Sequence, residues 1–252
     1  MLLAPDDPAP FEVVEATAGS RYVITCDHAS RRIPRALGSL GLPEHELERH
    51  IAWDIGVAEL GRELARLLDA TLILQGYSRL VIDCNRALDR PDSIATKSED
   101  TTIPGNLDLA PAEARARAAE IFEPYHARIR RELDERKARA TTLVLLHSFT
   151  PVYRAVARAW HAGVLHFADT RLSSPVLHAL RAEPGLVVGD NEPYAASELT
   201  DYAIVEHATK RGLLHVELEV RQDLILHAKG ASEWAERLAR VLRAAEAEIG
   251  AR

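Results

Sequence analysis

His28 and His147 each stand at the end of an apolar run. The first follows Arg21-Tyr22-Val23-Ile24-Thr25-Cys26 and one aspartate, the second follows Thr141-Thr142-Leu143-Val144-Leu145-Leu146. Taken singly, either is as readily a surface or hydrogen-bonded imidazole. Together, at the ends of two strands that one sheet could align, they are metal-ligand candidates. Glu219 lies near the end of a third strand pattern, Leu214–Arg221. Hydrolytic zinc sites commonly take three ligands of histidine and carboxylate type and leave a position for water, so convergence of such groups would suit metal-assisted hydrolysis. Asp54, near a helix start, is either a carboxylate ligand or an ordinary helix cap. In the alternating run, His215, Glu217, Glu219 and Arg221 share one face and Val216, Leu218 and Val220 the other. The polar face is either a solvated surface or a pocket wall holding a general base.

A second set of groups suits an anion. In Tyr77–Arg90 the core Leu80-Val81-Ile82 is followed by Asp83-Cys84-Asn85-Arg86 and preceded by Arg79. A short apolar run with polar groups at its carboxyl end predicts a buried strand of an α/β sheet, delivering Asp83, Asn85 and Arg86 to a site. Arg79 and Arg86 could each grip a carboxylate through two parallel hydrogen bonds. The competing use of both is pairing with Asp83, Asp89 or another structural acid. Asp83 itself is either an orienting group or an arginine's partner.

These residues need a scaffold. Strands are expected at Arg21–Cys26, Ala70–Leu74, Thr141–Leu146, Gly163–Ala168, Gly185–Gly189 and Leu214–Arg221. Helices are expected at Pro43-Glu44, over Ala52–Leu68, over Ala110–Ala140 as one or as two broken at Pro124, near Leu199–Arg211, and over Ser232–Ile249 with Ser232 as its cap. Asp89–Pro104 reads as a long polar loop. No repeat, low-complexity tract or linker divides the 252 residues, so one domain over 1–252 is expected.

With 47% hydrophobic and 27% charged residues and a net charge of −7, the chain has the balance of a soluble globular enzyme and lacks the basic surface of a nucleic-acid binder. No segment approaches transmembrane length, and MLLAPDDPAPFEVVEA lacks the basic start and long apolar run of a secretory signal. A cytoplasmic location and no membrane partner are therefore expected. Cys26 and Cys84 read as small buried hydrophobes rather than a disulfide. No Gly-rich phosphate loop or Gly-x-Ser-x-Gly elbow follows a strand, which disfavours nucleotide binding and serine-hydrolase chemistry.

The segments DHASRRIP, HIAWDIG, YSRLVIDCNR, LLHSFTP, GDNEPY and HVELEVRQDL, running in order from residue 27 to about residue 224, resemble those of the N-formylglutamate amidohydrolase family. That family is similar in fold to zinc carboxypeptidases and aspartoacylase, so the resemblance implies a three-layer α/β/α sandwich around a mixed sheet, with one catalytic zinc. It implies His28 and His147 as metal ligands. Carboxypeptidases take a glutamate three residues after the first histidine, where this chain has Arg31, and the resemblance assigns the carboxylate to Asp54. Glu219 resembles the water-activating glutamate, with Glu217 on the same face as the fallback. Arg79, with Asn85 and Arg86, is similar to the groups that hold the oxyanion and the carboxylate, and Arg221 or a loop residue is a candidate for a second carboxylate.

The expectation is zinc-dependent hydrolysis of an N-acyl amino acid, with N-formyl-L-glutamate giving formate and L-glutamate as the first choice. A deacylase or carboxypeptidase-like enzyme on another N-acyl amino acid or short peptide is the alternative. A non-catalytic binder of amino-acid-like anions is the third reading. Oligomeric state is not encoded in any of these patterns.

Overall fold

The computed structural model describes residues 1–250. Short runs rich in β-branched and aliphatic residues form a seven-stranded sheet. Its strands are β1 (Phe11–Val14), β2 (Tyr22–Cys26), β3 (Thr71–Gln75), β4 (Thr142–Phe149), β5 (Ala162–Leu165), β6 (Val188–Asp190) and β7 (Leu214–Arg221). Their order across the sheet is β1-β3-β2-β4-β7-β5-β6. The four central strands β3, β2, β4 and β7 run parallel. Edge strand β1 is antiparallel to β3, and β5 is antiparallel to β7 with β6 parallel to β5, so the sheet is mixed. With β2, β4 and β7 side by side and parallel, their carboxyl ends emerge together, the edge where α/β sheets collect ligands.

Helices α1 (Val57–Leu68), α2 (Pro111–Arg117), α3 (Glu123–Glu135), α4 (Ser173–Arg181) and α5 (Ala228–Gly250) make the outer layers. On one face, Leu60 and Leu64 of α1, Val176 of α4 and Leu242 of α5 pack with Ile24, Leu72, Val144 and Leu218. On the other, Tyr125, Ile129 and Leu133 of α3 pack with Val23, Ile73, Leu143 and Leu145. This is the expected α/β/α sandwich. Strand alternation sends Val216, Leu218 and Val220 into the first core. It sends Glu217 and Glu219 to the opposite side.

The expected strand at Leu80–Ile82 is not formed, and Tyr77–Arg90 is a series of turns lying over the second core. Leu80, Val81 and Ile82 are buried as anticipated, but against that core rather than in a ladder. Side chains replace the ladder for the backbone: Arg117 Nη1 donates to the Val81 carbonyl at 3.0 Å and Asn106 Nδ2 to the Leu80 carbonyl at 2.8 Å. An apolar run with satisfied carbonyls is buried equally well in either form, which is why pattern alone misassigned it.

Other boundaries move for local reasons. Residues 52–56 form turns and α1 begins only at Val57, after Gly56 at φ 82°. The 111–135 stretch stays helical but widens into a π-helical turn at Ala118–Phe122, where the Glu123 N–H bonds the Ala118 carbonyl. Pro124 has no N–H to give the carbonyl four residues earlier, so the turn accommodates it by widening instead of breaking. Helix α5 starts at Ala228, which puts Ser232 inside the helix and not at its cap. Strand β4 continues through His147 to Phe149. The polar loop contains a 3₁₀ turn at Pro91–Ile94 and a small hairpin of Lys97–Ser98 with Thr101–Thr102. The Leu199–Arg211 region is a π turn, Ile204–Ala208, and a 3₁₀ turn, Thr209–Arg211. Both cysteines are free and buried. Among the described residues no helix is long and apolar enough to cross a membrane.

Candidate active site

The carboxyl ends of β2 and β4 carry His28 and His147, whose rings stand 5.2 Å apart between centroids. Asp54 reaches between them from the turn before α1, its own N–H bonded to the His28 carbonyl at 2.9 Å. Asp54 Oδ2 lies 3.5 Å from His28 Nδ1 and 3.0 Å from His147 Nδ1. One ligand atom from each of the three buried residues lies within 4.8 Å of the others, so the group could hold a metal ion. Two donors bound to one tetrahedral zinc stand about 3.3 Å apart, and the two Asp54 distances bracket that spacing.

The hydrogen bonds around the group test the same idea. His28 Nε2 is 2.7 Å from Asp83 Oδ1, the contact that fixes the proton on Nε2. Nδ1 then presents a lone pair to the Asp54 carboxylate, with no hydrogen-bond partner of its own. His147 Nε2 is likewise buried without a partner, 3.9 Å from Asp27 Oδ2 and 3.8 Å from Glu217 Oε1. His147 Nδ1 is hydrogen-bonded to Asp54 Oδ2 at 3.0 Å, a contact whose proton a bound cation would displace. Two ring nitrogens converging on one carboxylate in a buried space suit a cation at their centre.

The same crowding shifts the protonation equilibria. Burial and the Arg79 guanidinium oppose charge on His28, yet Asp83 and Asp54 outweigh them and raise its pKa. Burial also opposes charge on His147, which Asp54 and Glu217 nonetheless hold well above the ordinary value. Burial would raise Asp54, but His28 and His147 keep it well below the usual carboxylate range. Asp83 serves both roles left open by the sequence, because its Oδ2 accepts from Arg79 Nη2 at 2.6 Å while Oδ1 holds His28. Behind His147, Asp27 accepts a 2.5 Å hydrogen bond from the Tyr125 hydroxyl.

Glu217 and Glu219 are buried on the same side of β7, not solvated. Register places Glu219 beside His147 and opposite Gly163. A Cβ at Gly163 or Gly189 would meet the Glu192 carbonyl at 2.2 or 2.5 Å, so only glycine lets the 191–194 loop lie this close to the sheet beside Glu219. Glu219 Oε2 has no partner, and burial pushes its pKa up to about 7. Burial and the neighbouring Asp201 also hold Glu217 well above the ordinary value. A carboxyl titrating near neutrality is poised to take and return a proton, which distinguishes Glu219 from the deeper Glu217.

These groups open on a cavity of about 420 Å³ whose wall includes His28, Asp54, Arg79, Arg86, His147 and Glu219. Asn85 is also on the wall, its side chain held by the Ala203 N–H at 3.1 Å and reaching Asp201 at 3.5 Å. Arg86 Nε pairs with Asp92 at 3.2 Å, and its Nη1 donates to the Thr200 and Asn85 carbonyls. Arg79 spends Nε and Nη2 on Asp83, with Nη1 3.8 Å from Asp54. Arg221 is the expectation that fails. It is not on the cavity wall: its guanidinium pairs with Asp223 and donates to the Arg158 and Trp160 carbonyls. As the last residue of β7 it shares the parity of Glu219, but the chain turns there and Asp223, two residues on, captures it.

Sequence patterns missed several wall residues. Tyr194, in the GDNEPY segment, accepts a 2.8 Å hydrogen bond from Arg158 Nη1, and that guanidinium stacks over the Tyr194 ring at 4.6 Å and the Tyr153 ring at 4.7 Å. His50 and Glu99, 3.4 Å apart, come from the turn after a short helix at Glu44–Leu47 and from the 97–102 hairpin. Only the aromatic content of GDNEPY hinted at any of these.

The family model for N-formylglutamate amidohydrolase matches residues 20–226. No curated protein matches the chain. Among solved structures, gene product Atu2144 from Agrobacterium tumefaciens is 36% identical over 99% of this chain and 100% of that one, with a TM-score of 0.96. N-formylglutamate amidohydrolase from Ralstonia eutropha JMP134 is 20% identical over 95% of this chain and 98% of that one, with a TM-score of 0.70, a likeness of fold.

Proposed function

The chain belongs to the N-formylglutamate amidohydrolase family, and from that premise we propose that it hydrolyses the amide bond of an N-acyl-L-amino acid using one divalent metal ion, zinc by donor type, held by His28, Asp54 and His147. The observation that carries this reading is the buried convergence of those three side chains within reach of an unpartnered Glu219. A bound ion supplies Lewis acidity, polarising the acyl carbonyl and lowering the pKa of the attacking water.

The chain's own groups divide the remaining work. Glu219 takes the water's proton and delivers it to the amide nitrogen as the C–N bond breaks, a transfer suited to its pKa of about 7. Arg79, fixed by Asp83, turns Nη1 toward the developing oxyanion. Asn85 and Arg86 bind the α-carboxylate and set the amide against Glu219. Asp83 orients His28 from behind. A cavity of about 420 Å³ accommodates an acylated amino acid and confines it near these groups. N-formyl-L-glutamate, giving formate and L-glutamate, is the reference substrate, since the family is described by it.

Metal analysis of the purified protein, with thermal melts and formate release measured before and after chelation, tests the proposal. The expected outcome is close to one equivalent of metal, with melting temperature and turnover both falling on its removal and both returning with zinc. Loss of neither would overturn it.

A further inference from the structure

A guanidinium taken out of water needs an acid or a set of neutral acceptors. Among the described residues four arginines are buried, Arg117, Arg128, Arg136 and Arg158. Arg128 and Arg136 share Glu132, and Arg117 donates to the Val81 and Gly105 carbonyls and to Asn106 Oδ1. Arg158 differs. No described carboxylate pairs with it, and its two hydrogen bonds, to the Tyr194 hydroxyl oxygen at 2.8 Å and the Thr150 carbonyl at 3.4 Å, both leave from Nη1. The Tyr153 and Tyr194 rings, at 4.7 and 4.6 Å, hold its plane. Nε and Nη2 donate to no described residue, and neither is sealed from open space. That edge is the fork with which Arg79 grips Asp83 and Arg221 grips Asp223.

The free fork lies beside the reacting groups. Thr150, Tyr153 and Tyr194, the three residues that hold Arg158, are all on the cavity wall. Burial raises the Tyr194 pKa to about 12, with Glu219 adding to the rise and Arg79 opposing it, so both of those groups act on the phenol that Arg158 touches. Thr150 follows His147 by three residues, about 10 Å of extended chain. The acyl carbon and the side-chain carboxyl carbon of an N-acyl glutamate are five bonds apart, about 6 Å when extended. With the amide at Glu219 and the α-carboxylate at Arg86, that side chain covers most of the interval toward Thr150. The other cations near the wall are engaged or outlying. Arg86 and Arg90 hold Asp92, Arg49 holds Glu46 and Glu99, and His50 faces Glu99 at 3.4 Å. Lys97 is exposed on its hairpin and is not on the wall.

We infer that Arg158 is the specificity-determining residue of the site, its free Nε and Nη2 edge receiving a carboxylate at the end of the substrate's side chain. The inference rests on the proposed reaction and deepens it by naming the group that selects an acidic amino acid. It also gives to a residue just after the 152–157 hairpin the task that strand parity had offered to Arg221.

The test compares N-formyl-L-glutamate with N-formyl-L-glutamine, matched in shape and differing in terminal charge, on zinc-loaded wild type, Arg158→Gln and Lys97→Ala. In the wild type kcat/KM should be about tenfold or more higher for the glutamate derivative, the size of one charge-assisted pair. Arg158→Gln should erase that preference through KM for the glutamate derivative, while Lys97→Ala keeps it. Arg158→Lys keeps the charge and loses the fork, and its narrowed preference reads the same residue if the glutamine variant does not fold. A wild type that favours the glutamine derivative or treats the two alike would overturn the inference. So would an Arg158 variant that lowers kcat equally on both substrates and leaves their ratio unchanged, the mark of a structural stack. Calorimetric affinities of both compounds for zinc-loaded Glu219→Gln, with and without Arg158→Gln, read the preference without turnover. If the wild type hydrolyses neither compound while the glutamate derivative binds tighter only with Arg158 present, the reaction assignment fails and the assignment of Arg158 stands.

Discussion

At the scale of single residues, Glu219 and Asp83 make different kinds of contribution and their variants should fail differently. Glu219→Gln keeps the shape of the side chain and removes its proton-accepting charge. It should bind metal as the wild type does and lose about 10²- to 10⁴-fold in kcat, measured by metal analysis alongside formate release. Retained activity would transfer the base role to Glu217. Asp83→Asn leaves the catalytic carboxyl untouched but gives His28 Nε2 a weaker partner and frees Arg79. A metal affinity lower by about 10- to 100-fold is expected from competition with a chelating dye. The candidate residues at strand ends were legible in sequence because two histidines, each closing an apolar run, point to one sheet edge together although either alone has an ordinary structural use. Asp54 was legible only through family resemblance, since a carboxylate near a helix start has an ordinary capping role. Arg221 was misplaced because strand parity says which face a side chain leaves from but not which neighbour intercepts it.

At the scale of elements, the parallel strands are the readable part and the turns are not. Leu214–Arg221 appears with the bounds its alternation predicts, since period-2 patterning has a single geometric meaning. Leu80–Ile82 carried a strand-like signal into a segment whose backbone is satisfied by Asn106 and Arg117, residues 24 or more positions away that no local pattern could supply. Asn106→Ala should therefore destabilise the fold by about 3 kcal/mol in denaturant melts, by stranding the Leu80 and Ala95 carbonyls and taking one of the two acceptors from Arg117 Nη1, which keeps the Val81 carbonyl. A loss under 0.5 kcal/mol, the size of an ordinary surface substitution, would mean that the turn is held by packing alone. Helix α3 has its own electrostatic clamp, with Glu132 between Arg128 and Arg136 at 2.8 and 2.6 Å. Burial acts to raise the Glu132 pKa, but the two arginines outweigh it and hold it below the ordinary 4.5. A depressed folded-state pKa contributes stability that is present above the unfolded value and lost as pH falls through the folded one. The melting-temperature difference between wild type and Glu132→Gln should accordingly be largest near neutral pH and shrink below about pH 4.5. A constant difference across that range would assign the stabilisation to packing.

At the scale of the molecule, the sheet's order brings β2 (Tyr22–Cys26), β4 (Thr142–Phe149) and β7 (Leu214–Arg221) together although long stretches of chain separate them, and the candidate centre exists only because of that assembly. Metal and fold are then thermodynamically linked, since ligands from two strand ends and the turn before α1 converge only in the native state. The most direct measurement is formate release from an N-formyl-L-amino acid by wild-type protein stripped of metal and then titrated with zinc. Turnover should be absent in the stripped protein and rise to a plateau at about one equivalent of zinc per chain, as one buried site of three protein ligands requires. Undiminished turnover in verified metal-free protein would contradict the assignment of His28, Asp54 and His147 as the catalytic metal centre.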